Sequence, residues 1–468
     1  MNLLLFSSLI SLTLCHDYLP EKRITDWYGS LNQGPPRAQP EQIHLSYGGT
    51  PSIMTVTWLT FDDTLASTVE YGTSVKKLDI KASGRVSVFE SESGEHKYDR
   101  FIHRVNITDL TPGTTYFYRV GSEHGWSSIY FFTALEERPD GGFEYIVFGD
   151  LGVENGRSLG KMQKLAQSGD VDMILHIGDF AYNLFEEKGS TGDTFFRQIE
   201  SIAAYLPYMV TVGNHEAHNE DFLHYKQLFT MPGTVDNMYY SFDVGHAHFI
   251  VISTEFYFHE SMLLNVKEQF DWLKSDLENA NKNRHNVPWI ITMGHRPMYC
   301  SDFDGDDCTK YESLIRTGLP LIHAFALEPL FYEHGVDLEL WAHEHTYERL
   351  WPTYDRIVYN GTKQPYLNPP APVHVITGSA GCRENTDTFI PNPEPWSAVR
   401  STDYGFAKMR IYNETHLNFK QVLAANVEDE LVDDFWIIKT RKNHRSYRSK
   451  DLKRLRTHGV RVSHKLEL

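Results

Sequence analysis

The sequence predicts two structural units, an all-β sandwich near the N terminus followed by a larger α/β domain. Between residues 41 and 133, short alternating apolar segments rich in β-branched and aromatic residues are separated by Gly, Pro, Ser and Asp clusters. After residue 143, short continuous apolar runs alternate with amphipathic stretches, which is typical of buried strands between helices. With 468 residues, the chain is long enough for two to three domains.

We assign residues 39–134 to the β-sandwich. Its predicted strands read IHLSY, IMTVTWLT, RFIHRVNI, TTYFYRV and IYFFT. The segment LTPGTTYFYRV, residues 110–120, resembles the late strands of fibronectin type III domains. The sequence indicates no cluster of catalytic residues in this domain.

Residues 136–142, which include Arg-Pro-Asp-Gly-Gly, are predicted to form a linker, and we assign residues 141–439 to the α/β domain. Helical spacing is clearest over residues 266–277. The predicted buried strands are residues 145–148, 173–177, 208–212, 249–252, 289–293, 336–341 and 373–377.

The two ends of the chain differ from its middle. Residues 2–14 form an apolar run that is too short to cross a bilayer, so we interpret residues 1–15 as a signal peptide, the alternative being a buried terminal strand. The protein is therefore expected to be secreted or endolysosomal, without stable insertion in a membrane. Residues 440–468 are basic and poor in large apolar residues, which predicts a disordered tail, with an anionic-surface anchor as the alternative.

The four cysteines and three sequons are compatible with a secretory route. Cys15 would leave with the signal peptide, and Cys300 and Cys308 flank a short polar loop that a disulfide could close. That pairing leaves Cys382 as a free thiol, although its pairing with either of the others stays open. The predicted N-glycosylation sites are Asn106, Asn360 and Asn413.

The formal net charge of −18 argues against a general nucleic-acid binder, which needs a basic face to displace counterions from phosphates. An acidic protein that handles an anionic substrate needs a local source of positive charge. Metal ions could supply that charge.

Five of the predicted strands end directly in a polar cluster. Because the carboxyl ends of strands in α/β sheets are where sites assemble, we expect these clusters to converge in space. They read Gly149-Asp150-Leu-Gly152, Gly178-Asp179-Phe-Ala-Tyr182, Gly213-Asn214-His215-Glu216, Gly294-His295 and Ala342-His343-Glu-His345.

The clusters supply a mixed set of oxygen and nitrogen donors without a thiolate. Carboxylate and phenolate oxygens suit a hard trivalent cation, whereas imidazole and amide groups suit a borderline divalent one. The sequence therefore predicts two unlike metals. The candidate ligands are Asp150, Asp179, Tyr182, Asn214, His295, His343 and His345.

The order of these motifs over residues 39–439 resembles the long form of the purple acid phosphatases, within the metallophosphoesterase superfamily, and is most similar to its animal type. Two features are specific to this family. Gly152 stands where ordinary metallophosphoesterases have a histidine, and Tyr182 stands where they usually have another residue. The resemblance implies a metallophosphoesterase domain of two sheets flanked by helices.

The resemblance also implies a dinuclear centre with a defined set of ligands. Asp150, Tyr182 and His345 would hold a ferric ion, and Asp179 would bridge it to a divalent ion. The divalent ion would be zinc, iron or manganese, held by Asn214, His295 and His343.

The implied activity is that of an acid phosphatase, which hydrolyses small phosphate monoesters with a metal-bound hydroxide. A phosphodiesterase or nucleotide pyrophosphatase on the same site is the first alternative. A non-catalytic binding protein that keeps the fold is the second, and the complete ligand set argues against it.

His215 matches the family's histidine beside the metal ligands, and we predict that it protonates the leaving alkoxide, since an ordinary histidine pKa of about 6.5 keeps it charged in acid. We expect its neighbour Glu216 to orient a histidine. The sequence departs from the family pattern at Ala342, which replaces a glycine. It also has an acidic loop, residues 301–307, where plant-type members carry histidines after the position of His295.

Other histidines have simpler interpretations. The literal G-H-x-H at residues 245–248 precedes an apolar run, so we expect His246 and His248 to be structural and to lie at the opposite end of the sheet. His176 lies within a predicted strand and is interpreted as a core residue. His218 and His224 could line the pocket or lie on a surface helix.

Arg296 is a further candidate for the phosphate-binding site. Arg296 could contact phosphate, but a strand-end arginine more often pairs with a carboxylate.

Overall fold

The computed structural model describes residues 37–91, 98–219, 221–233, 235–425 and 430–440, together with the backbone of residues 460 and 461. The predicted signal peptide and most of the basic tail lie outside the described residues. Among the helices that are described, none has both the length and the apolar character needed to cross a membrane.

The N-terminal unit consists of two antiparallel sheets. One has the order β1-β2-β6-β5, formed by β1 (Glu41–Tyr47), β2 (Met54–Thr60), β5 (Arg85–Ser91) and β6 (Tyr98–Ile107). The other has the order β4-β3-β7-β8 with β9 also paired to β7, formed by β3 (Thr68–Gly72), β4 (Ile80–Ser83), β7 (Thr115–Ser122), β8 (Gly125–Trp126) and β9 (Tyr130–Thr133).

The two sheets enclose a core in which Trp58 and Tyr118 are the largest buried side chains. The alternating strand pattern explains this arrangement, since every second side chain of each strand faces the opposite sheet. The sandwich docks on the rest of the chain through a buried ion pair in which Arg100 donates to both oxygens of Asp193, at 2.9 and 2.7 Å. Because both partners are buried and their two hydrogen bonds run side by side, this pair orients one unit on the other.

The second unit contains two large mixed sheets whose facing sides form a common hydrophobic core. The six-stranded sheet has the order β12-β11-β10-β22-β23-β24, with β10 (Phe143–Phe148), β11 (Met173–Ile177), β12 (Tyr208–Thr211), β22 (Gly405–Ile411), β23 (His416–Leu423) and β24 (Leu431–Ile438). The seven-stranded sheet has the order β13-β14-β15-β16-β20-β17-β21, with β13 (Tyr240–Val244), β14 (Ala247–Val251), β15 (Trp289–Met293), β16 (Leu338–Trp341), β17 (Tyr347–Leu350), β20 (Val373–Thr377) and β21 (Ser397–Ser401).

A small third sheet is formed by β18 (Thr353–Tyr354), β19 (Ile357–Val358) and β25 (Val460–Arg461). The helices are α1 (Leu159–Ser168), α2 (Ser190–Ala203), α3 (Leu223–Leu228), α4 (Leu263–Asn283), α5 (Leu314–Thr317) and α6 (Leu327–His334). The predicted helix over residues 266–277 lies inside α4.

Parallel pairing places the polar clusters at one edge of each sheet. Strands β10, β11 and β12 are parallel neighbours in the first sheet, and β14, β15, β16 and β20 are parallel neighbours in the second. The carboxyl ends of β10, β11, β12, β15 and β16 therefore all lead into the same region. The predicted fold class, a β-sandwich followed by an α/β domain, is confirmed.

Candidate metal centre

The five strand-end clusters meet, as the sequence predicted, and they do so on strained backbone. Asp150, Asp179, Tyr182 and His343 all have positive φ angles, of 59°, 54°, 50° and 71°. Such left-handed conformations are uncommon for residues other than glycine, and they persist where the surrounding structure enforces them, which is frequent at functional sites. Four of the seven predicted ligands therefore have a left-handed backbone conformation.

Gly178 shows how closely the loops approach one another. It has a φ of 80°, and a Cβ atom there would lie 2.5 Å from Nδ1 of His295 and 2.9 Å from the backbone of Gly213. Only glycine fits this position, because any side chain would push apart three of the five clusters.

Glu216 joins the loop that follows β11 to the loop that follows β12. Its buried carboxylate accepts hydrogen bonds from the backbone N–H groups of Asp179, Phe180 and Gly213, at 2.9, 3.0 and 2.9 Å. Burial and the neighbouring Asp179 raise the pKa of Glu216 to about 8. The expectation that Glu216 orients a histidine was wrong, since its contacts fix the backbone that carries Asp179.

The three predicted ferric ligands form one compact group. The hydroxyl of Tyr182 lies 3.1 Å from Oδ1 of Asp150 and 2.7 Å from Nε2 of His345. His345 Nδ1 lies 3.0 Å from the backbone carbonyl of Asn385, to which it can donate its proton. In a neutral ring, that hydrogen bond would leave the lone pair on Nε2, facing the tyrosine, as in a histidine oriented for metal binding.

The other predicted ligands gather around Asp179. One ligand atom each from Asp179, His295 and His343 lies within 4.8 Å of the others. His295 Nε2 is 3.1 Å from Oδ2 of Asp179 and 3.1 Å from Oδ1 of Asn214. Nδ1 of His295 lies 2.8 Å from the carbonyl of Ile177, so the nitrogen that faces Asp179 is again the one suited to bind a cation.

Asp150 connects the two groups. While Oδ1 faces Tyr182, its other carboxylate oxygen accepts a hydrogen bond from the backbone N–H of His343 at 3.1 Å. The seven predicted ligands thus form one continuous cluster.

The pKa values of this cluster suit a site for cations. Burial and Asp150 raise the pKa of Tyr182 well above its ordinary value, so the phenolate needs an adjacent cation. Burial lowers the pKa of His295, but Asp179 outweighs it and raises the pKa to about 10. Burial likewise lowers the pKa of His345, whereas Asp150 and Cys382 raise it to about 12. Protons on these imidazoles balance the carboxylates, and bound cations would replace those protons.

His215 lies beside the cluster, and its side chain is 21% exposed. Its backbone N–H donates to Oδ1 of Asp179 at 2.9 Å, and its ring lies 4.3 Å from that of Tyr182. Nδ1 is 2.8 Å from Oδ1 of Asn183, and Nε2 is 3.8 Å from the half-exposed carboxylate of Glu384. Of the two ring nitrogens, Nδ1 is therefore the one held by a hydrogen bond.

The acidic loop over residues 301–307 meets a cation through Asp306. This carboxylate contacts Nε2 of His343 and lies 3.4 Å from Nη1 of Arg296, and both neighbours lower its pKa against the effect of burial. Arg296 also pairs with the buried Glu255 at 3.0 Å, which confirms that it binds carboxylates. Asp306 is therefore neutralised rather than facing a substrate as a free charge.

The cysteines resolve the pairing that the sequence left open. Cys300 and Cys308 form a disulfide, and among the described residues Cys382 is a free, buried thiol. Its sulfur lies 3.4 Å from Nδ1 of His345. A Cβ atom on Gly152 would lie 2.9 Å from the Cα of Cys382, and Gly152 has a φ of 69°. A histidine at position 152 would therefore not fit.

The histidines interpreted as structural have structural partners. His176 is buried and bonded to the hydroxyl of Tyr208 at 2.5 Å. His248 lies between Asp243 and Asp276, at 2.6 and 2.8 Å, and His246 is 3.3 Å from Glu137.

The two uncertain histidines contact phenylalanines. His218 stacks on Phe185 with ring centroids 4.2 Å apart. His224, on α3, packs edge-on against Phe89 at 4.9 Å, and burial lowers its pKa to about 4. These contacts favour packing roles.

Sequence reasoning missed several groups that support the cluster. Asn183 follows Tyr182 directly, so adjacency to a predicted ligand could have indicated its contact with His215. Asn385 acts through its backbone carbonyl, which carries no signature in the sequence. Asp306 lies in the acidic loop, but its contact with His343 depends on how the loop folds.

Comparison with known proteins agrees with this geometry. Residues 40–134 match the model of the purple acid phosphatase N-terminal domain, residues 143–347 that of the calcineurin-like phosphoesterases, and residues 371–434 that of the iron/zinc purple acid phosphatase-like protein C-terminal region.

Two curated relatives cover nearly the whole chain. The sequence is 51% identical to acid phosphatase type 7 of Danio rerio over 88% of this chain and 94% of the relative, and 48% identical to that of Homo sapiens over 90% and 95%. Among solved structures, a purple acid phosphatase from yellow lupin seeds matches with a TM-score of 0.71 and 24% identity, over 87% of this chain and 76% of the lupin chain.

The lupin structure supports the fold alone, whereas the family models and the two animal relatives show which family the chain belongs to. They confirm the predicted resemblance, including the likeness to the animal type, and the family implies a dinuclear metal centre. The chain belongs to the purple acid phosphatase family.

Proposed function

We propose that the chain is a secreted acid phosphatase that hydrolyses phosphate monoesters at a centre of one ferric and one divalent ion. The observation that carries this proposal is the convergence of seven donor side chains from five separate strand ends. Two of the histidines, His295 and His345, also have one ring nitrogen bonded to a backbone carbonyl and the other facing a carboxylate or phenol. Hydrogen bonds that orient both rings in this way are typical of histidines that bind a metal and are less expected of histidines packed in a core.

The donor chemistry supports unlike ions at the two positions. Asp150, Tyr182 and His345 offer two hard oxygens and one nitrogen, which suits Fe(III). Asn214, His295 and His343 would hold zinc, iron or manganese, and Asp179 would bridge the two ions. Because Nε2 of His343 contacts Asp306, we assign Nδ1 as its ligand atom.

When bound, the two cations would polarise the phosphate ester and lower the pKa of a water molecule at the site. The protein's own part is to place a proton donor at the leaving group. His215 is held through its backbone by Asp179 and through Nδ1 by Asn183, so its Nε2 can protonate the departing alkoxide.

The location and modification of the protein follow from the sequence rather than from the site. All three sequon asparagines, Asn106, Asn360 and Asn413, are exposed and so could accept N-glycans. Together with the apolar N-terminal run, this exposure supports secretion.

The proposal is tested by counting metals and comparing substrates. Purified protein should contain two metal ions per chain, and at pH 5 it should turn over a monoester faster than a diester or a nucleoside triphosphate. Faster turnover of the diester or the triphosphate would favour the alternative activities. Fewer than two metals with no turnover would favour a non-catalytic protein.

The role of His215 can be separated from general damage to the site. For His215→Ala we expect at least about a 100-fold loss of kcat with an alkyl phosphate, whose leaving group needs a proton. With p-nitrophenyl phosphate the loss should be much smaller, because p-nitrophenolate leaves without one. His218→Ala, which alters a neighbouring histidine stacked on Phe185, is the matched control. Equal losses with both substrates would contradict the proton-donor role.

A further inference from the structure

The acidic loop over residues 301–307 is the feature that the proposed reaction does not explain. A disulfide between Cys300 and Cys308 closes it. Two backbone hydrogen bonds, from Phe303 to Thr388 at 2.7 Å and from Ile390 to Ser301 at 2.9 Å, pair its first half with the segment around residue 389. The loop is thus held firmly in place next to the turn that carries His343 and His345.

Three carboxylates from three different segments converge at this junction. One oxygen each from Asp304, Glu344 and Asp387 lies within 4.8 Å of the others. Asp304 comes from the loop, Glu344 stands between the two histidines of the turn, and Asp387 accepts the backbone N–H of His345 at 2.6 Å. The buried Asp302 lies beside them and is 3.4 Å from the hydroxyl of Thr346.

Two buried carboxylate oxygens in this group have no hydrogen-bond partner among the described residues. They are Oε2 of Glu344 and Oδ1 of Asp302, both on side chains that are 1% exposed. The other oxygen of Glu344 lies 2.9 Å from Sγ of Cys308, but a disulfide sulfur carries no hydrogen to donate. A buried carboxylate without donors is costly unless a cation or a proton compensates it.

The two arginines near the loop bind elsewhere. Arg296 pairs with Glu255 and Asp306, and Arg400 donates to the carbonyl of Ile390 at 3.0 Å while stacking on Phe389 at 4.7 Å. The imidazole of His345 lies 3.9 Å from Asp387, so it faces one of the three converging carboxylates. Burial and the neighbouring Glu348 raise the pKa of Asp302 to about 8, which agrees with a strong local excess of carboxylates.

We propose that Asp304, Glu344 and Asp387, with Asp302 beside them, bind one Ca²⁺ ion. Every donor is an oxygen, which is the set that Ca²⁺ prefers. Two ligand oxygens on opposite sides of a Ca²⁺ ion are separated by about 5 Å, and the three oxygens, all within 4.8 Å of one another, are close enough to share one ion. A cavity of about 410 Å³, lined by Asp302, Asp304 and Glu394 among others, gives water and ions access to the loop.

This site would be distinct from the dinuclear centre and does not depend on which metals occupy that centre. It would join the disulfide-closed loop to the turn Ala342–His345. Calcium should therefore stabilise the turn and, through it, the positions of His343 and His345.

The test is a titration of the full-length holoenzyme with CaCl₂ at pH 7 after passage over a chelating resin, followed by equilibrium dialysis. We expect one Ca²⁺ per chain in addition to the dinuclear pair, and a higher Tm when it is bound. In the Asp304→Asn/Asp387→Asn double variant, Ca²⁺ affinity should fall at least 10-fold and the rise in Tm should disappear. Asp271→Asn, an exposed carboxylate on α4 paired with Lys267, is the control that should bind Ca²⁺ normally.

Iron and divalent-metal content is measured in every variant, so that a loss of Ca²⁺ binding can be distinguished from a loss of the metals at the proposed catalytic centre. If the wild-type holoenzyme binds no Ca²⁺, the proposal is overturned and the carboxyl groups share protons instead. Unchanged binding in the double variant would overturn it as well. Should the double variant fail to fold, the wild-type titration and Asp304→Asn alone decide the question, since Asp304 is exposed.

Discussion

Two histidine pairs with the same spacing stand at opposite ends of the seven-stranded sheet. His343 and His345 follow β16, whereas His246 and His248 precede and begin β14. The carbonyl of His246 accepts a hydrogen bond from Trp289, the first residue of β15, while His295 follows the other end of that strand.

The environments of the two pairs differ accordingly. The pair after β16 reaches Asp150, Tyr182 and Asp179, residues brought there by other strand ends. At the start of β14, His248 contacts Asp243 and Asp276, and His246 contacts Glu137. The comparison teaches that an H-x-H motif acquires its role from the end of the strand on which it lies.

The largest contrast should come from removing one histidine of each pair. We expect His343→Ala to lose more than about 100-fold in turnover, because it removes a proposed ligand rather than a group that merely supports one. His246→Ala should keep its metals and its activity. Metal analysis and steady-state kinetics on both variants check this contrast. Equal losses of activity in the two variants would contradict it.

A glycine with a positive φ angle lies at each end of the domain, and an alanine substitution at each position tests the comparison. Gly178 and Gly245 have φ angles of 80° and 55°, and an added Cβ would lie 2.5 Å from His295 and 2.6 Å from the ring of Phe143, respectively. Both variants should lose about 1–3 kcal/mol of stability through backbone strain. Only Gly178→Ala should also lose metal affinity, by about 10- to 100-fold. Denaturant unfolding and metal titration separate the two effects, and metal loss in Gly245→Ala would contradict the comparison.

The smallest effect on catalysis is expected for His248→Gln, which should act on stability alone. Burial lowers the pKa of His248, but Asp243 and Asp276 outweigh it and raise the pKa to about 9. Since this exceeds the unfolded value of about 6.5, the stabilisation is complete below that pH and disappears as the pH rises through 9.

The variant should therefore lose up to about 3 kcal/mol at pH 6 and much less at pH 10, relative to the wild type. Unfolding free energies at the two pH values measure this difference. A loss that does not depend on pH would mean that His248 stabilises the sheet through packing rather than charge.

The sequence predicted the fold class and the convergence of the strand ends, because both follow from periodicity and from the geometry of parallel sheets. It predicted the structural role of His176 and His248 from their positions within or before apolar runs. These features depend on local pattern, which a sequence displays directly.

The supporting contacts could not be predicted in the same way. Glu216 binds backbone N–H groups, and the His345 ring faces the carbonyl of Asn385, so neither contact involves a recognisable partner residue. The contact of Asp306 with His343 and the convergence of Asp304, Glu344 and Asp387 depend on the path of a loop closed by a disulfide. Such contacts are fixed by tertiary structure and leave no periodic signal.

The visible spectrum of Tyr182→Phe, recorded together with its metal content, tests the central claim most directly. Tyr182 lies within hydrogen-bonding distance of Asp150 and His345, and as a phenolate on Fe(III) it would give the purple absorption band. We expect the wild type to be purple with two metals per chain, and Tyr182→Phe to lose the band while retaining iron. A band that persists in Tyr182→Phe would contradict the assignment of Tyr182 as the ferric ligand.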